Sequence, residues 1–280
     1  MSDALTESDR PIYFIGCDMG GWHNTSKVKG DALAACKWVN GDLLHVEATA
    51  NVAFFPVASD GPLEKCISAA IKEHAKIIVA IDAALGWPAS FARLVAEARI
   101  GQHNFSFERG SAIANPYLYR ETERFIKSHV LTGAKERPLT AVGDKFGNNS
   151  TKAQALVVWL NERLKAFRPP FDTWDRLIAR TANHSIIEVY PAASMKSELF
   201  KRLVWPLHLR DMGNIGSSDI ADAMRCAMTG MCYAAHLGMI TSNPDFPMLW
   251  MPDEVPDSEL NRESIESEGW IFSPRLNKGE

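Results

Sequence analysis

Little in this 280-residue chain is extreme, and what is scarce narrows its class. The five cysteines, Cys17, Cys36, Cys66, Cys226 and Cys232, are odd in number and no two form a CxxC pair. Neither a disulfide framework nor a zinc knuckle is suggested, and reduced, buried thiols are expected. No apolar run approaches the ~18 residues that span a bilayer. The polar opening MSDALTESDR lacks the charged and apolar regions of a signal peptide, so a cytoplasmic protein without a membrane partner is expected. A basic excess is also missing: 30 Lys and Arg against 34 Asp and Glu give a formal charge of −4. Any nucleic-acid contact must then come from local basic clusters. Internal repeats and low-complexity tracts are absent, and nothing in the sequence bears on oligomeric state.

What is present is an apolar fraction of 46%, enough for a substantial core in a single domain spanning residues 1–280. PIYFIGCDMGGW, Pro11 to Trp22, reads as a buried strand that stops at Asp18 and turns through Gly20 and Gly21. Asp31 to Trp38 and Leu43 to Ala48 are β-like and flank Asn40-Gly41, a dipeptide suited to a tight hairpin turn. Ser59 caps an expected helix to about Ala75, with Leu63, Cys66, Ile67, Ala70 and Ile71 on one face. KIIVAIDAALGWP then forms another apolar strand and ends on Asp82. The order β-β-β-α-β, with the helix as a right-handed crossover, is that of the opening of the RNase H-like fold. The expected architecture is α/β: a mixed five-stranded sheet of order 3-2-1-4-5 with helices on both faces.

The remainder is less regular. A short helix is expected from Pro88 to about Arg99, and a helical insertion covers about 100–180. Within it, one helix is expected around Tyr117 to Val130. Another runs from about Thr151 to Ala166, with Ala155, Val158, Trp159 and Leu164 as its buried stripe. SIIEVYP, Ser185 to Pro191, is a third apolar strand and carries Glu188. A helix from Ser194 to Val204, the loop MGNIGSS and a strong helix from Asp219 to His236 follow. The last has Ile220, Ala223, Met224, Ala227 and Met231 on its apolar face. The segment 241–280 reads as an irregular tail anchored by Gly269-Trp270-Ile271-Phe272.

Three apolar strands thus each carry one acid near the C-terminal end: Asp18, Asp82 and Glu188. Ionised carboxylates are costly to bury without a neutralising partner, so the repetition points to a hard cation. Asp219 and Asp222 add two acids one helical turn apart. Oxygen ligands without His or Cys suit Mg²⁺ or Mn²⁺ better than zinc. Each residue also has a structural explanation. Strand-end aspartates form turns, Asp219 and Asp222 suit the first turns of a helix, and Glu188 can pair with a buried arginine. For phosphate contacts the candidates are Arg120 and Arg124, one turn apart, and Lys145, Asn148, Asn149 and Lys152 around FGNNSTK, where helix-start amides can hold an anion. The same residues also fit a solvated polar face. His23 follows Asp18 by five residues and can assist proton transfer or simply sit on a surface loop.

The segments IGCDMGG, VAIDAALGWP, YRETER, IIEVYPAAS, SSDIADAMRCAMTG and EGWIF, spread over about residues 12–273, resemble the family called "domain of unknown function 429", whose members are described as RNase H-like nucleases. The resemblance implies that Asp18, Asp82 and Asp222 are metal ligands, with Glu188 and Asp219 as additional members of the catalytic set. In the family pattern Arg is followed by Thr-Asp, where this chain has Arg120, Thr122 and Glu123. The implied activity is hydrolysis of nucleic-acid phosphodiesters by a two-metal mechanism, in which Asp18 bridges the ions and Asp82 and Asp222 flank them. GCDMGG also resembles the phosphate-binding turn of the actin-like and sugar-kinase superfamily. That makes an ATP-dependent small-molecule kinase with Asp82 as base the alternative, although no second such turn is present. A third possibility is a non-catalytic RNase H-like binding module.

Overall fold

A computed structural model describes residues 10–21, 30–97, 115–132, 138, 140–168, 174–202, 218–241, 246–260 and 262–276. Six strands form one sheet in the order β3-β2-β1-β4-β5-β6. They are β1 (Ile12–Asp18), β2 (Asp31–Val39), β3 (Asp42–Val52), β4 (Lys76–Asp82), β5 (His184–Val189) and β6 (Ile271–Phe272). The first three form an antiparallel meander, while β1, β4, β5 and β6 run parallel. Asn40 and Gly41 make the expected hairpin turn with φ of 53° and 89°, the left-handed pair that a two-residue connection needs.

The count is one strand more than the five expected. The extra strand comes from the segment read as an irregular tail, which also holds helix α9 (Arg262–Glu268). Two residues are too few to show a period. The β6 strand exists because β5 offers a free edge, where Glu188 and Val189 pair with Ile271 and Phe272.

The helices preceding α9 are α1 (Pro62–Lys72), α2 (Ala89–Glu97), α3 (Glu121–His129), α4 (Asp144–Leu164), α5 (Arg176–Thr181), α6 (Pro191–Ser194), α7 (Glu198–Arg202) and α8 (Ser218–His236). Several differ from expectation. Gly61, not Ser59, caps α1, and Pro62 follows it at a position where a missing N–H costs nothing. α4 begins seven residues before Thr151, so FGNNSTK lies inside the helix. Among the described residues its buried apolar side chains are Ala153, Leu156, Val157, Leu160 and Leu164, and Val158 is 59% exposed. The true stripe therefore lies to one side of the expected one. The helix expected from Ser194 to Val204 is split into α6 and α7. MGNIGSS up to Ser217, and His23, lie outside the described residues.

The pleat sorts the strands cleanly. Ile12, Phe14, Ile78, Ala80, Ile187 and Val189 pack with α8, α3 and the C-terminal segment. Tyr13, Ile15, Cys17, Ile77, Val79 and Ile81 pack against α1 and α4 on the other face. A row of small residues, Ala48, Ala34, Gly16 and Ala80, runs across the sheet in register. Helix α8 lies close over it. A Cβ placed on Gly16 would sit 1.9 Å from the Ala223 carbonyl oxygen and 2.5 Å from the Ala227 nitrogen. The expected apolar face of α8 is buried at Ala223, Met224, Ala227 and Met231, with Ile220 half-buried. All five cysteines are free and buried. Among the described residues no helix is long and apolar enough to cross a membrane.

Candidate active site at the carboxyl end of the sheet

Asp18 and Asp82 end neighbouring parallel strands and are Cα partners in the β1–β4 ladder. Adjacent strands lie ~4.8 Å apart, and parallel partners project to the same face. Continuing the alternation of Phe14, Gly16, Ile78 and Ala80 places both acids on the α8 side. There the close approach of α8 at Gly16 brings up Asp222, the residue before Ala223. Asp222 and Asp219 are near enough for their charges to raise the Asp18 carboxyl.

Burial is the main reason that Asp18 is pushed up to about 7, with Asp222, Asp219 and Asp31 adding repulsion. Burial likewise holds Asp82 well above the usual carboxylate range, reinforced by Asp18, Asp222 and Glu188. Among the described residues neither side chain meets a hydrogen-bond donor or a cation. The two line a cavity of about 150 Å³ together with Met19, Asn149, Glu188 and Arg120, whose charge is taken up by Glu188 and Glu123. A pair of half-buried carboxylates, mutually repelling and open to one cavity, is a site that lacks its positive charge.

The remaining predicted acids differ in kind. Asp222 is about one-third exposed and pairs with Arg225 on its own helix. Glu188 is in register with Ile81 and not with Asp82, so it leaves its strand on the other side of the pleat while still lining the same cavity. Its oxygens are occupied. Oε1 accepts from Arg120 at 2.5 Å, and Oε2 accepts from Arg120 at 2.8 Å and from the Leu85 amide at 2.9 Å. Glu188 is thus the arginine-paired carboxylate of its structural explanation, and through Leu85 it holds the loop that follows Asp82.

The predicted phosphate contacts are mostly engaged inside the protein. Arg120 is 1% exposed, and besides Glu188 it donates to Glu123 at 3.0 Å and to the Glu268 carbonyl at 3.0 Å. Glu123 accepts from the Arg120 amide at 2.7 Å, and burial pushes its carboxyl up to about 7 against the pull of Arg120. Arg124 donates to the Tyr119 carbonyl and pairs with Glu121. Lys152 is buried against Asp31 at 2.6 Å. Asn149 donates to the Met19 carbonyl at 2.8 Å, and Asn148 lies beside Gly21. These positions sit beyond the first turn of α4, so their amides are not a helix-start anion site. Nothing is described of the Lys145 side chain.

Asp31 was not among the expected site residues, yet it organises the loop after Asp18. It is 1% exposed and accepts from the Gly20 amide at 2.7 Å and the Phe54 amide at 2.8 Å, in addition to Lys152. The signal was available: an acid opening the otherwise apolar strand DALAAC. Glu268 was also missed. One of its oxygens accepts from the Ala89 amide at 2.8 Å and the other from the Glu121 amide at 2.6 Å, so a single carboxylate caps both α2 and α3.

The donor set can be tested against a metal directly. Among the described residues no three His, Cys, Asp or Glu side chains are arranged to hold an ion as they stand. The chemistry of Asp18 and Asp82 nevertheless suits a hard divalent cation, since the pair offers only carboxylate oxygen and is short of positive charge. Asp222 would join by leaving Arg225, and a partly exposed ion pair of this kind is worth only ~0.3–0.5 kcal/mol.

Fold and site together define a mixed α/β protein with a carboxylate-lined cavity where two central parallel strands end. The family model described as "Protein of unknown function (DUF429)" matches residues 29–203, and the chain belongs to that family. The match covers Asp82, Arg120 and Glu188 but not Asp18, Asp219 or Asp222. No curated protein and no solved structure matches the chain.

Proposed function

We propose that this protein has an RNase H-like fold and is a Mg²⁺- or Mn²⁺-dependent hydrolase of phosphodiester bonds, with nucleic acid as the substrate class. The observation that carries this reading is the aspartate pair itself: Asp18 and Asp82 side by side, open to one cavity and uncompensated among the described residues. Support for the fold comes from the antiparallel β1-β2-β3 meander followed by a crossover through α1 to a parallel β4.

The engagement of Arg120, Arg124 and Lys152 strengthens the case for a cation. With its nearby lysine and arginine side chains paired, the cavity has acids facing any phosphate. Asp18, Asp82 and Asp222 would hold a divalent ion that reverses that charge, and the chemistry it would supply is an activated water and a counter-charge for the leaving oxygen. In this reading Asp18 and Asp82 hold the cation. Asp31 and Asn149 fix the Met19-Gly20 backbone beside them, and Glu188 fixes the Leu85 loop.

The kinase alternative loses support from one contact. A phosphate-cradling turn needs free backbone amides, and that of Gly20 is bonded to Asp31. The test is a cleavage screen over single- and double-stranded DNA, RNA and bis(p-nitrophenyl) phosphate with Mg²⁺ or Mn²⁺, beside Asp222→Asn. Metal-dependent cleavage lost in that variant supports the proposal. No cleavage, or cleavage that survives the substitution, refutes it, and ATP turnover in its place would indicate a kinase.

A further inference from the structure

At the opposite end of the sheet lies a second and larger cavity, of about 780 Å³. Its floor is the start of the parallel strands, at Ile12 of β1 and Lys76 of β4. The β2–β3 turn at Asn40-Gly41, the end of α5 and the segment after α8 form its walls. Asp18 and Asp82 are six residues further along the same strands, about 20 Å away at ~3.3 Å per residue. The cavity is therefore separate from the acidic site.

Its charge is opposite in sign. Arg10, Lys76 and Arg180 line it, and among the described residues no acid does. Arg10 is held in place by neutral acceptors, with Nε donating to the His74 carbonyl at 2.8 Å and Nη1 to the Asn183 side-chain oxygen at 3.0 Å. Lys76 is buried, and its Nζ donates to the Arg180 carbonyl at 3.2 Å. The Arg180 guanidinium has no ion pair among the described residues. In a chain with a formal charge of −4, a concavity with Arg10 and Arg180 on its lining and no described acid is a departure that an anion would satisfy.

The rest of the lining adds an apolar side. Trp38 and Val39 come from β2, Leu177 from α5, and Met239 and Ile240 from the segment after α8. Leu177 is 68% exposed, a large apolar side chain left in water at the rim. A bare inorganic anion would use the cations and leave this side uncovered. A small-molecule pocket combines an apolar wall with a few placed polar groups in roughly 300–1,000 Å³.

We propose that this cavity binds an organic phosphate, with the phosphate on Arg10 and Arg180 and a planar base against the Trp38 wall. A nucleoside monophosphate and the end of a single strand present the same chemistry. The site does not depend on the acidic centre, and its test is run in EDTA so that the acidic centre carries no divalent ion.

Titration calorimetry on the full chain with dTMP, (dT)8 and inorganic phosphate separates the sources. dTMP is expected to bind at least tenfold more tightly than phosphate, and Arg180→Glu is expected to weaken dTMP at least tenfold with an unchanged melting temperature. Arg180 is exposed, so this variant should fold. Trp38→Ala is expected to reduce the preference of dTMP over phosphate. A (dT)8 affinity well above that of dTMP assigns the site to a strand, and equal affinities assign it to the free nucleotide. Two outcomes overturn the proposal: no binding of either nucleotide probe, or dTMP binding that is indifferent to Arg180→Glu.

Discussion

Asp18 and Asp82 face each other across the β1–β4 ladder as register partners, each at the last residue of a strand whose preceding residues are buried. The sheet can place two carboxylates in this way only at a cost, because burial and mutual repulsion both favour the protonated form. The cost can be measured. In the absence of divalent ions the folded Asp18 carboxyl is pushed up to about 7 from an ordinary 3.8, so the folded chain binds more protons than the unfolded one between these values. Stability therefore falls as pH rises from about 4 to about 7, by on the order of 4 kcal/mol for this group. Asp18→Asn removes the penalty. In EDTA the variant should melt several degrees above the wild type at pH 8, with the difference fading toward pH 4. Equal melting temperatures at pH 8 would contradict the buried, uncompensated state of Asp18.

Arg120 is the hub that links β5, α3 and the C-terminal segment, through Glu188, Glu123 and the Glu268 carbonyl. Arg120→Met would strand two buried carboxylates, a change that costs about 3–5 kcal/mol. Arg120→Lys should recover little of this, since an ammonium cannot reproduce the fork on Glu188. Urea denaturation of the two variants checks both statements, and a loss below 1 kcal/mol for Arg120→Met would sink them.

Gly16 is where α8 meets the sheet. Gly16→Ala brings a methyl against the Ala223 oxygen and the Ala227 nitrogen, both backbone atoms that cannot rotate away. The helix must shift outward, at about 1–3 kcal/mol or more, and it carries Asp222 with it. Chemical denaturation should show that loss, and divalent-ion affinity should fall as well. A stable Gly16→Ala protein with unchanged Mn²⁺ affinity would mean that α8 does not position the site.

The sequence carried the strands and the aspartate pair because buried parallel strands write themselves as apolar runs, and a lone acid at the end of such a run stands out. It did not carry the partners. Whether an arginine awaits a substrate or is already committed depends on a residue far along the chain, and Arg120 lies 68 positions from Glu188. Lys152 and Asp31 are separated by 121 positions, so their pairing was equally hidden. The β6 strand escaped because two residues have no period and borrow their structure from β5. The partner of Glu188 was hidden in the same way. A carboxylate in an apolar strand is legible, but which face it takes against its neighbour is settled only by the ladder.

Whether Asp18 and Asp82 hold a divalent cation is read from the melting temperature of the full chain at pH 8 with and without Mn²⁺. A ligand bound only by the native state at 100 times its Kd stabilises by about 2.7 kcal/mol, an upward shift of roughly 5–10 °C. The wild type should show that shift, Asp18→Asn and Asp82→Asn should lose most of it, and Mg²⁺ should act in the same sense. A wild-type midpoint that Mn²⁺ and Mg²⁺ leave unchanged, or a shift that both variants retain in full, would contradict the assignment of these two residues as the metal site.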